Sequence, residues 1–581
     1  MKISYKILGA IFAMSVGLVA CSEDFLERPP LGTLNEGTLQ SANGVELLCT
    51  SAYGALHSPN ASEWFNTFSG GGCNGWLYSD VRSDVAYKGG GGIADCANFH
   101  AMEVFNGVYP QHGHIDGKWF NLYSSVQRAQ SALRVLNNLT DEEFPERKSR
   151  IGEMKFLRSL FFFDLHRLFN RVPYFDENVA IGEYVNISNV EYTREELLDK
   201  IAADLGEAAE LLPEYQNEVG RVNKYAAKAL QAKVLLYRAY EHDDSYSVKN
   251  INRTILEQVV SLCNELEGHY SLLADFQHLD LIAFDNGVES VFEIQFSHDD
   301  GTTLHRTSWM YALCSPTAAK YAGCGFFQPS QNLVNSYRTD ENGLPLLDDY
   351  NSVSIITRED GLNNNVDPRL DFVVGRPGIR WKTYTTEAYG DNWVRDAGTY
   401  GKFGCKRHLI SPEDPAMWEL GMCDLNWDII RYADVLLWKA EALIELDRHA
   451  EALPIINQIR ERAKKSSYVK DWTNPTANAA KYVIDTYKDG VNCTWTKEFA
   501  RKALRHERKI EFAMEGDRFF DLVRWGVAAD VMNEYFAAER MHRPYMGEAT
   551  FTHGKDEYLP IPSAQIELSH GLYQQNPFYN N

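Results

Sequence analysis

A chain of 581 residues that is 44% apolar and 24% charged has material for a large core and more than one structural layer. Its formal charge of −23 argues against a nucleic-acid partner, because so acidic a surface displaces no phosphate counterions.

The first twenty residues stand apart from the rest. Lys2 and Lys6 precede the apolar run ILGAIFAMSVGLV, which is too short to span a bilayer comfortably, and Leu18-Val19-Ala20-Cys21 follows. Small residues ahead of a cysteine predict a lipoprotein signal over 1–20, with Cys21 lipidated after cleavage; the alternative is a plain secretory signal and an incidental cysteine. Several acyl chains anchor firmly, at about 0.8 kcal/mol for each buried methylene. Residues 21–34 then read as a tether and 35–581 as one domain, with no second stretch long and apolar enough to cross a membrane.

Helical periodicity dominates that domain and comes in pairs. Asn43–His57 goes with Gly117–Leu136, Arg147–Phe169 with Thr193–Leu212, and Asn223–Glu241 with Ile251–Leu266. Asp428–Leu446 and Ala450–Lys464 form the clearest pair, joined by Asp447-Arg448-His449, with small residues at Ala440, Ala442, Ala450 and Ala452. The pattern predicts a mostly α fold, a tetratricopeptide-like array of about four helix hairpins with its scaffold at 43–57, 117–268 and 428–526. Residues 60–108 and 272–426 interrupt it as irregular, partly β insertions, rich in Gly, Trp and Tyr, and Tyr535–Asn581 closes the chain irregularly. Insertions on a rigid scaffold are where function concentrates.

Much chemistry is absent from the sequence: no GxSxG, HExxH, GxxxxGK[ST] or strand-borne GxGxxG occurs. Lys88-Gly89-Gly90-Gly91-Gly92 lacks a following Lys-Ser/Thr and reads as a mobile loop. Asp80 and Asp84 suggest a glycosidase carboxylate pair, but acids are so common here that two within ~5–10 Å is weak evidence. Besides Cys21 there are nine cysteines and no zinc spacing; Cys73/Cys96 and Cys314/Cys324 flank loops as possible disulfides, with free thiols the alternative. DENG and LNNNVD are Asp/Asn-rich, yet neither has a calcium ligand spacing, and no cofactor is expected.

The stretch LRHERKIEFAMEGDRFFDLVRWG (Leu504–Gly526) places Glu507, Glu511 and Glu515 on one helix face, where like charges repel unless cations meet them. Arg508, Arg518 and Arg524 are the nearest candidates, Asp517 sits at an N-cap position, and His506 has no metal-spaced partner. The stretch reads as an ion-pair network in the scaffold. In FLRSLFFFDLHRLF, Phe156, Leu160, Phe163, His166 and Leu168 follow helical spacing as core, with Arg158, Asp164 and Arg167 set to pair with neighbouring hairpins.

Taken in order, the lipobox, EDFLE, MKFLRSLFFFDLHRLFNRVPYF (Met154–Phe175), GRVNKYAAKALQAKVLLYRA (Gly220–Ala239), DPRL (Asp367–Leu370), WDIIRYADVLLWKAEALIEL, EALPIINQIRERA, the Leu504–Gly526 stretch and LPIPSAQIELSHGLYQQNPFY (Leu559–Tyr579) resemble the SusD/RagB family of Bacteroidetes outer-membrane lipoproteins almost end to end. RSDVAYKGGG (Arg82–Gly91) resembles a loop motif of one branch, though an acid is more usual at Val85. The resemblance implies a non-enzymatic, cell-surface lipoprotein that binds oligosaccharide, or in some members peptide, and caps a SusC-like TonB-dependent transporter in the outer membrane. A surface glycoside hydrolase using Asp80 or Asp84 is the rival enzyme reading.

The resemblance locates the ligand regionally, where the two insertions meet. Apolar sugar faces suit exposed rings, and their hydroxyls suit Asp, Asn and Arg. Candidates are Trp64, Trp76, Tyr78, Asp80, Arg82, Asp84 and Lys88 in the first insertion, and Trp309, Tyr311, Arg380, Trp381 and Trp393 in the second, joined by Tyr384 and Tyr400. Trp76 and Trp309 are the leading platforms because both lie among polar or small residues; for each ring the competing expectation is a place in the core.

Overall fold

The structure is a computed structural model that describes residues 39–57, 75–297 and 309–579. The signal segment, Cys21, the tether, Trp64 and Cys73 lie outside the described residues.

Helices α1 (Ala42–Gly54), α2 (Gly113–Asn138), α3 (Arg147–Phe169), α4 (Arg194–Leu211), α5 (Lys224–Ala239) and α6 (Arg253–Glu265) each pack on the next, and α6 packs on α7 (Tyr432–Glu445), which pairs with α8 (His449–Lys465). The mostly α hairpin array is therefore present as one continuous stack. Local chemistry sets its boundaries. Thr193 and Glu196 form a capping box at α4, and the side chains of Asn223 and Asn252 accept from Ala226 and Ile255 N–H to start α5 and α6. Asp447 turns the α7–α8 hairpin in the left-handed region (φ 64°), and Ala440, Ala442 and Ala452 are buried where the helices approach. Phe156, Leu160, Phe163, His166 and Leu168 of α3 are all core.

One boundary differs from expectation. Trp427–Arg431 is not the start of α7 but a strand, β4, antiparallel to β2 (Ser290–Ile294) of the second insertion. Its Ile-Ile pair suits a strand, and Asp434 reaches back to the Arg431 N–H (3.2 Å), so the helix begins only at Tyr432. The second insertion is thus stitched to the scaffold at this point.

After the array come α9 (Lys497–Glu511), α10 (Arg518–Arg524) and α11 (Ala528–Glu539). Glu507 and Glu511 on α9 are wholly buried. The network expected there exists, but its cations are not the expected ones. Glu507 accepts from Arg369 (2.7 Å) and Arg460 (3.0 Å); Glu511 accepts from Arg369 (2.9 Å), Arg431 (3.3 Å) and Arg462. Glu515 accepts from Arg407 (3.0 Å) and Arg431 (2.9 Å). Arg508 instead pairs with Asp521 (2.6 Å), Arg524 with Glu441, and Arg518 with Asp84 (2.8 Å). Arg508 lies on a different face of α9 from the glutamates, and Arg518 and Arg524 belong to α10 beyond the turn, so the cations adjacent in sequence meet other carboxylates. Asp517 makes no cap; its carboxylate takes Arg167 (2.8 Å) and Lys233 (2.6 Å). Arg158 pairs with Asp204 (2.6 Å) on α4, as its position in α3 suggested.

Arg369→Ala leaves Glu507, Glu511 and Asp367 short of a buried partner, and a loss of about 3–5 kcal/mol is expected in urea unfolding.

Stability should also be a skewed function of pH. Burial first of all raises Asp80 to about 8 and Asp285, Asp434 and Glu539 to about 7. It lowers His114 to about 4 and His166, His242 and His506 to about 3. Above about pH 6.5 the folded carboxyls keep protons that the unfolded chain has released, so stability falls as pH rises to 8. Between about 4 and 6.5 the unfolded histidines take up protons that the folded ones refuse, which opposes the carboxyl effect. Burial works against ionising Asp280, yet Arg407 and Lys382 hold it down to about 2. Its stabilisation is lost as pH drops from about 4 through 2. Urea midpoints measured from pH 3 to 8 should peak between about 4 and 6.5 and fall on both sides.

Candidate functional site

The two insertions meet. β1 (Ala86–Gly89) runs antiparallel to β3 (Phe326–Pro329), with Ala86 opposite Pro329 and Gly89 opposite Phe326. Gly89 has φ +74°, and a side chain there would stand 2.7 Å from the Gly325 carbonyl oxygen, so the close approach requires glycine. Beyond the strands, Gly90 N–H donates to Gly325 O (2.8 Å), and Asp95 pairs with Arg395 (2.8 Å). Thr317 N–H donates to Trp393 O (3.2 Å), and Ser315 Oγ to Leu420 O (2.8 Å). Four turns, at 90–95, 315–325, 391–396 and 417–421, are thereby held on one face, and the short helix Trp309–Cys314 runs into it through Cys324 N–H···O Ala312 (2.9 Å).

The structure redistributes the candidate residues of the first insertion. Trp76 is 1% exposed and lies against Phe327 (5.4 Å) and Phe99 (6.2 Å): a core ring, not a platform. It lies in the short helix Gly75–Tyr78, where Leu77 and Tyr78 are buried beside it. Tyr78 is buried and donates to His114 O (3.1 Å). Arg82 is buried on the ring of Phe519 (4.3 Å) and donates to Asp556 O (2.9 Å), which pins the C-terminal segment. Lys88 is buried too, its ammonium donating to Gly89 O (3.1 Å), Gly92 O (2.9 Å) and Asp95 O (2.6 Å). The glycine run curls round that ammonium instead of hanging free.

The two carboxylates do not form an acid–base pair open to a sugar. Asp80 is fully buried and accepts from Gly516 N–H (2.9 Å). Asp84 accepts from Lys509 (2.9 Å), Arg518 (2.8 Å) and Asn332 (3.3 Å); burial pushes the other way, but the two cations hold it well below the usual carboxylate range. A group so saturated with donors is a poor general acid or base.

In the second insertion Trp381 and Trp393 are wholly buried, packed together (5.2 Å) and on Tyr389, with the Trp381 indole donating to Tyr321 Oη (2.8 Å). Tyr384 and Tyr400 are buried as well. Arg380 is half-buried over Trp472 (5.2 Å) and lines a cleft of about 320 Å³ with Asp280, Lys382, Lys406 and Tyr468. The side chains of Trp309 and Tyr311 lie outside the description. Cys314 and Cys324 are free thiols, as is Cys96. Asp340 of DENG accepts from Asn342 and Leu344 N–H, and Asp367 of LNNNVD is taken by Arg369.

On the shared face remain Asp95, Thr317, Asn392, Arg395 and, 38% exposed, Trp418. Trp418 and Arg395 were missed in sequence. Trp418 follows DPAM and precedes ELG, a signal no weaker than that of Trp76. A second cleft, of about 480 Å³, opens beside Asp84 between α9, α11 and the Asn332–Asn351 segment.

Residues 288–579 match the model of the SusD family, and 93–236 match a family described as starch-binding and associating with the outer membrane. SusD-like protein P2 of Formosa agariphila is 24% identical over 591 residues, covering 99% of each chain. Among solved structures, a laminarin-binding SusD-like protein superposes with TM-score 0.66 at 20% identity over 93% of this chain and all of that one. Surface glycan-binding protein A of Bacteroides thetaiotaomicron, in complex with laminarihexaose, gives 0.64 at 20% identity over 92% and 99%.

Trp76→Ala should behave as a core truncation, costing about 3–5 kcal/mol in chemical denaturation. A stability within 1 kcal/mol of the parent, by the same urea titration, would place the indole at the surface after all.

Proposed function

Since the chain belongs to the SusD family, we propose that it is a cell-surface lipoprotein, held by acyl chains on Cys21, that captures oligosaccharide and passes it to a SusC-like TonB-dependent transporter in the outer membrane. The observation that carries the reading is the joining of the two insertions through β1 and β3 into a single face on the helical stack. A capture protein needs a fixed surface of hydrogen-bonding groups with apolar ring area; Asp95, Thr317, Asn392, Arg395 and Trp418 supply both, and Trp309 belongs to a helix that enters the same face. A related fold bound to laminarihexaose supports sugar as the ligand class. Among the described residues no helix is long and apolar enough to cross a membrane, which leaves attachment to the lipid at Cys21. The signal segment at 1–20, the tether at 21–34 and the single domain from residue 35 are part of this proposal.

Calorimetry of the protein with laminarihexaose, other plant, microbial and host glycans, and mixed peptides tests it. Sugar binding is expected, weakened by about 1–3 kcal/mol in Trp309→Ala, as for an aromatic anchor. Peptide-only binding would reject the sugar reading, and sugar release would make the protein an enzyme.

A further inference from the structure

The cleft of about 480 Å³ beside Asp84 is separate from the face where the insertions meet, and its volume is that of a small-ligand site. Its floor carries more positive than negative charge. Asp84 is a single carboxylate shared by Lys509 and Arg518, each within 3.0 Å. Arg505 adds a further guanidinium, lying 4.8 Å over the Trp525 ring, with the buried Glu441 and Glu445 carboxylates behind it but no hydrogen bond or ion pair to either.

Several donors in this floor are left without protein partners. Arg518 Nη1, His506 Nε2 and Tyr535 Oη are buried atoms with no hydrogen-bond partner among the described residues, and His506 and Tyr535 are each more than nine-tenths buried. Buried polar atoms are ordinarily paired, so a group of them converging on one opening marks a place where something else supplies acceptors. Burial, with Lys509 and Arg460 nearby, keeps the His506 ring neutral, so it contributes a hydrogen bond rather than a charge.

The rim differs from the floor. Asp530 and Glu534 on α11 are exposed, Lys502 is paired with Asp348, and Asn332 and Asn351 are bonded to each other (2.7 Å). Exposed carboxylates accept hydrogen bonds from hydroxyls, and their contact with water weakens their pull on the buried cations. Tyr350, half-buried over Lys509, adds ring surface. A ligand that fits both levels carries a carboxylate for the floor and hydroxyls for the rim.

We propose that this cleft is a second binding site, for a uronic-acid sugar, whose carboxylate docks on Arg505 and Arg518 and whose hydroxyls meet Asp530 and Glu534. The sugar part rests on the capture function proposed above; the anion part rests on the cleft alone. Its recognition is bidentate and charge-assisted, so a guanidinium is needed rather than any cation.

The full chain in detergent micelles is titrated calorimetrically with trigalacturonate, with the neutral trimer maltotriose, with acetate and with laminarihexaose. Trigalacturonate is expected to bind at least tenfold more tightly than maltotriose, to weaken as salt rises, and to lose at least tenfold in Arg505→Gln, while laminarihexaose affinity in that variant is unchanged. Arg505→Lys, which keeps the charge and the stacking methylenes, should show an intermediate loss; it replaces Arg505→Gln if circular dichroism finds the latter unfolded. Trigalacturonate no tighter than maltotriose, or indifferent to both variants, overturns the proposal. Acetate matching trigalacturonate would reduce the cleft to a small-anion site and overturn the sugar assignment. Peptide-only binding by the parent protein, with no glycan of the earlier series bound, would instead defeat the capture reading.

Discussion

Two glutamates on one face of α9 and a third, Glu515, in the turn just beyond its end, although its spacing predicts the same helix face, set the terms for everything packed around them. Glu507 and Glu511 are fully out of water, and a buried carboxylate without cations would not stay ionised. The cations come from four separate places: Arg369 of DPRL, Arg407, Arg431 at the end of β4, and Arg460 and Arg462 of α8. The sequence blocks that carry the family resemblance are therefore largely the blocks that neutralise one another. Such a network adds little net stability, because desolvation offsets most of the attraction. We read its role as register: Glu507, Glu511 and Glu515 each answer a different set of arginines, so sliding α9 by one turn would strand charges in the interior.

The same electrostatics binds the first insertion to the C-terminal helices. Asp84 takes Lys509 and Arg518, Asp80 takes the Gly516 N–H at the α9–α10 junction, and Arg82 reaches the Asp556 carbonyl. Polar side chains that looked available for a ligand are thus consumed in joining segments more than four hundred residues apart. The described part of the insertion, from residue 75 on, is tied down at these points, and at its edge Asp95 meets Arg395 on the face shared with the second insertion.

Helices were legible in the sequence because burial repeats every three to four residues along them, as in α3, and because Thr193, Asn223 and Asn252 announce the starts of α4, α5 and α6. That Glu507, Glu511 and Glu515 need cations was legible too, from their spacing alone. Which cations was not: Arg369 is 138 residues from Glu507, and nothing local encodes such a pairing. The aromatic candidates failed for a related reason. Trp76 and Trp393 lie in helices of four and three residues and Trp381 in an irregular stretch, all too short to carry a periodicity from which to read the inward side. Short-range context put Trp76 forward and passed over Trp418, yet the structure buries the first and leaves the second partly exposed.

Charge follows the same division between inside and outside. Buried acids and bases nearly balance, Arg158, Arg369, Arg431, Arg460 and Arg524 among them, so the −23 of the chain is carried mainly by its exterior. An acidic exterior is rich in acceptors and suits a ligand that offers hydroxyl donors. It also repels anions at long range, and an anionic ligand can settle only where cations locally outnumber carboxylates and water is partly excluded. The floor beside Asp84 meets that condition, with Lys509 and Arg518 on one carboxylate and Arg505 lining the same cleft. Neutral and acidic sugars would then be sorted to different parts of the surface by the charge pattern that also fixes the fold.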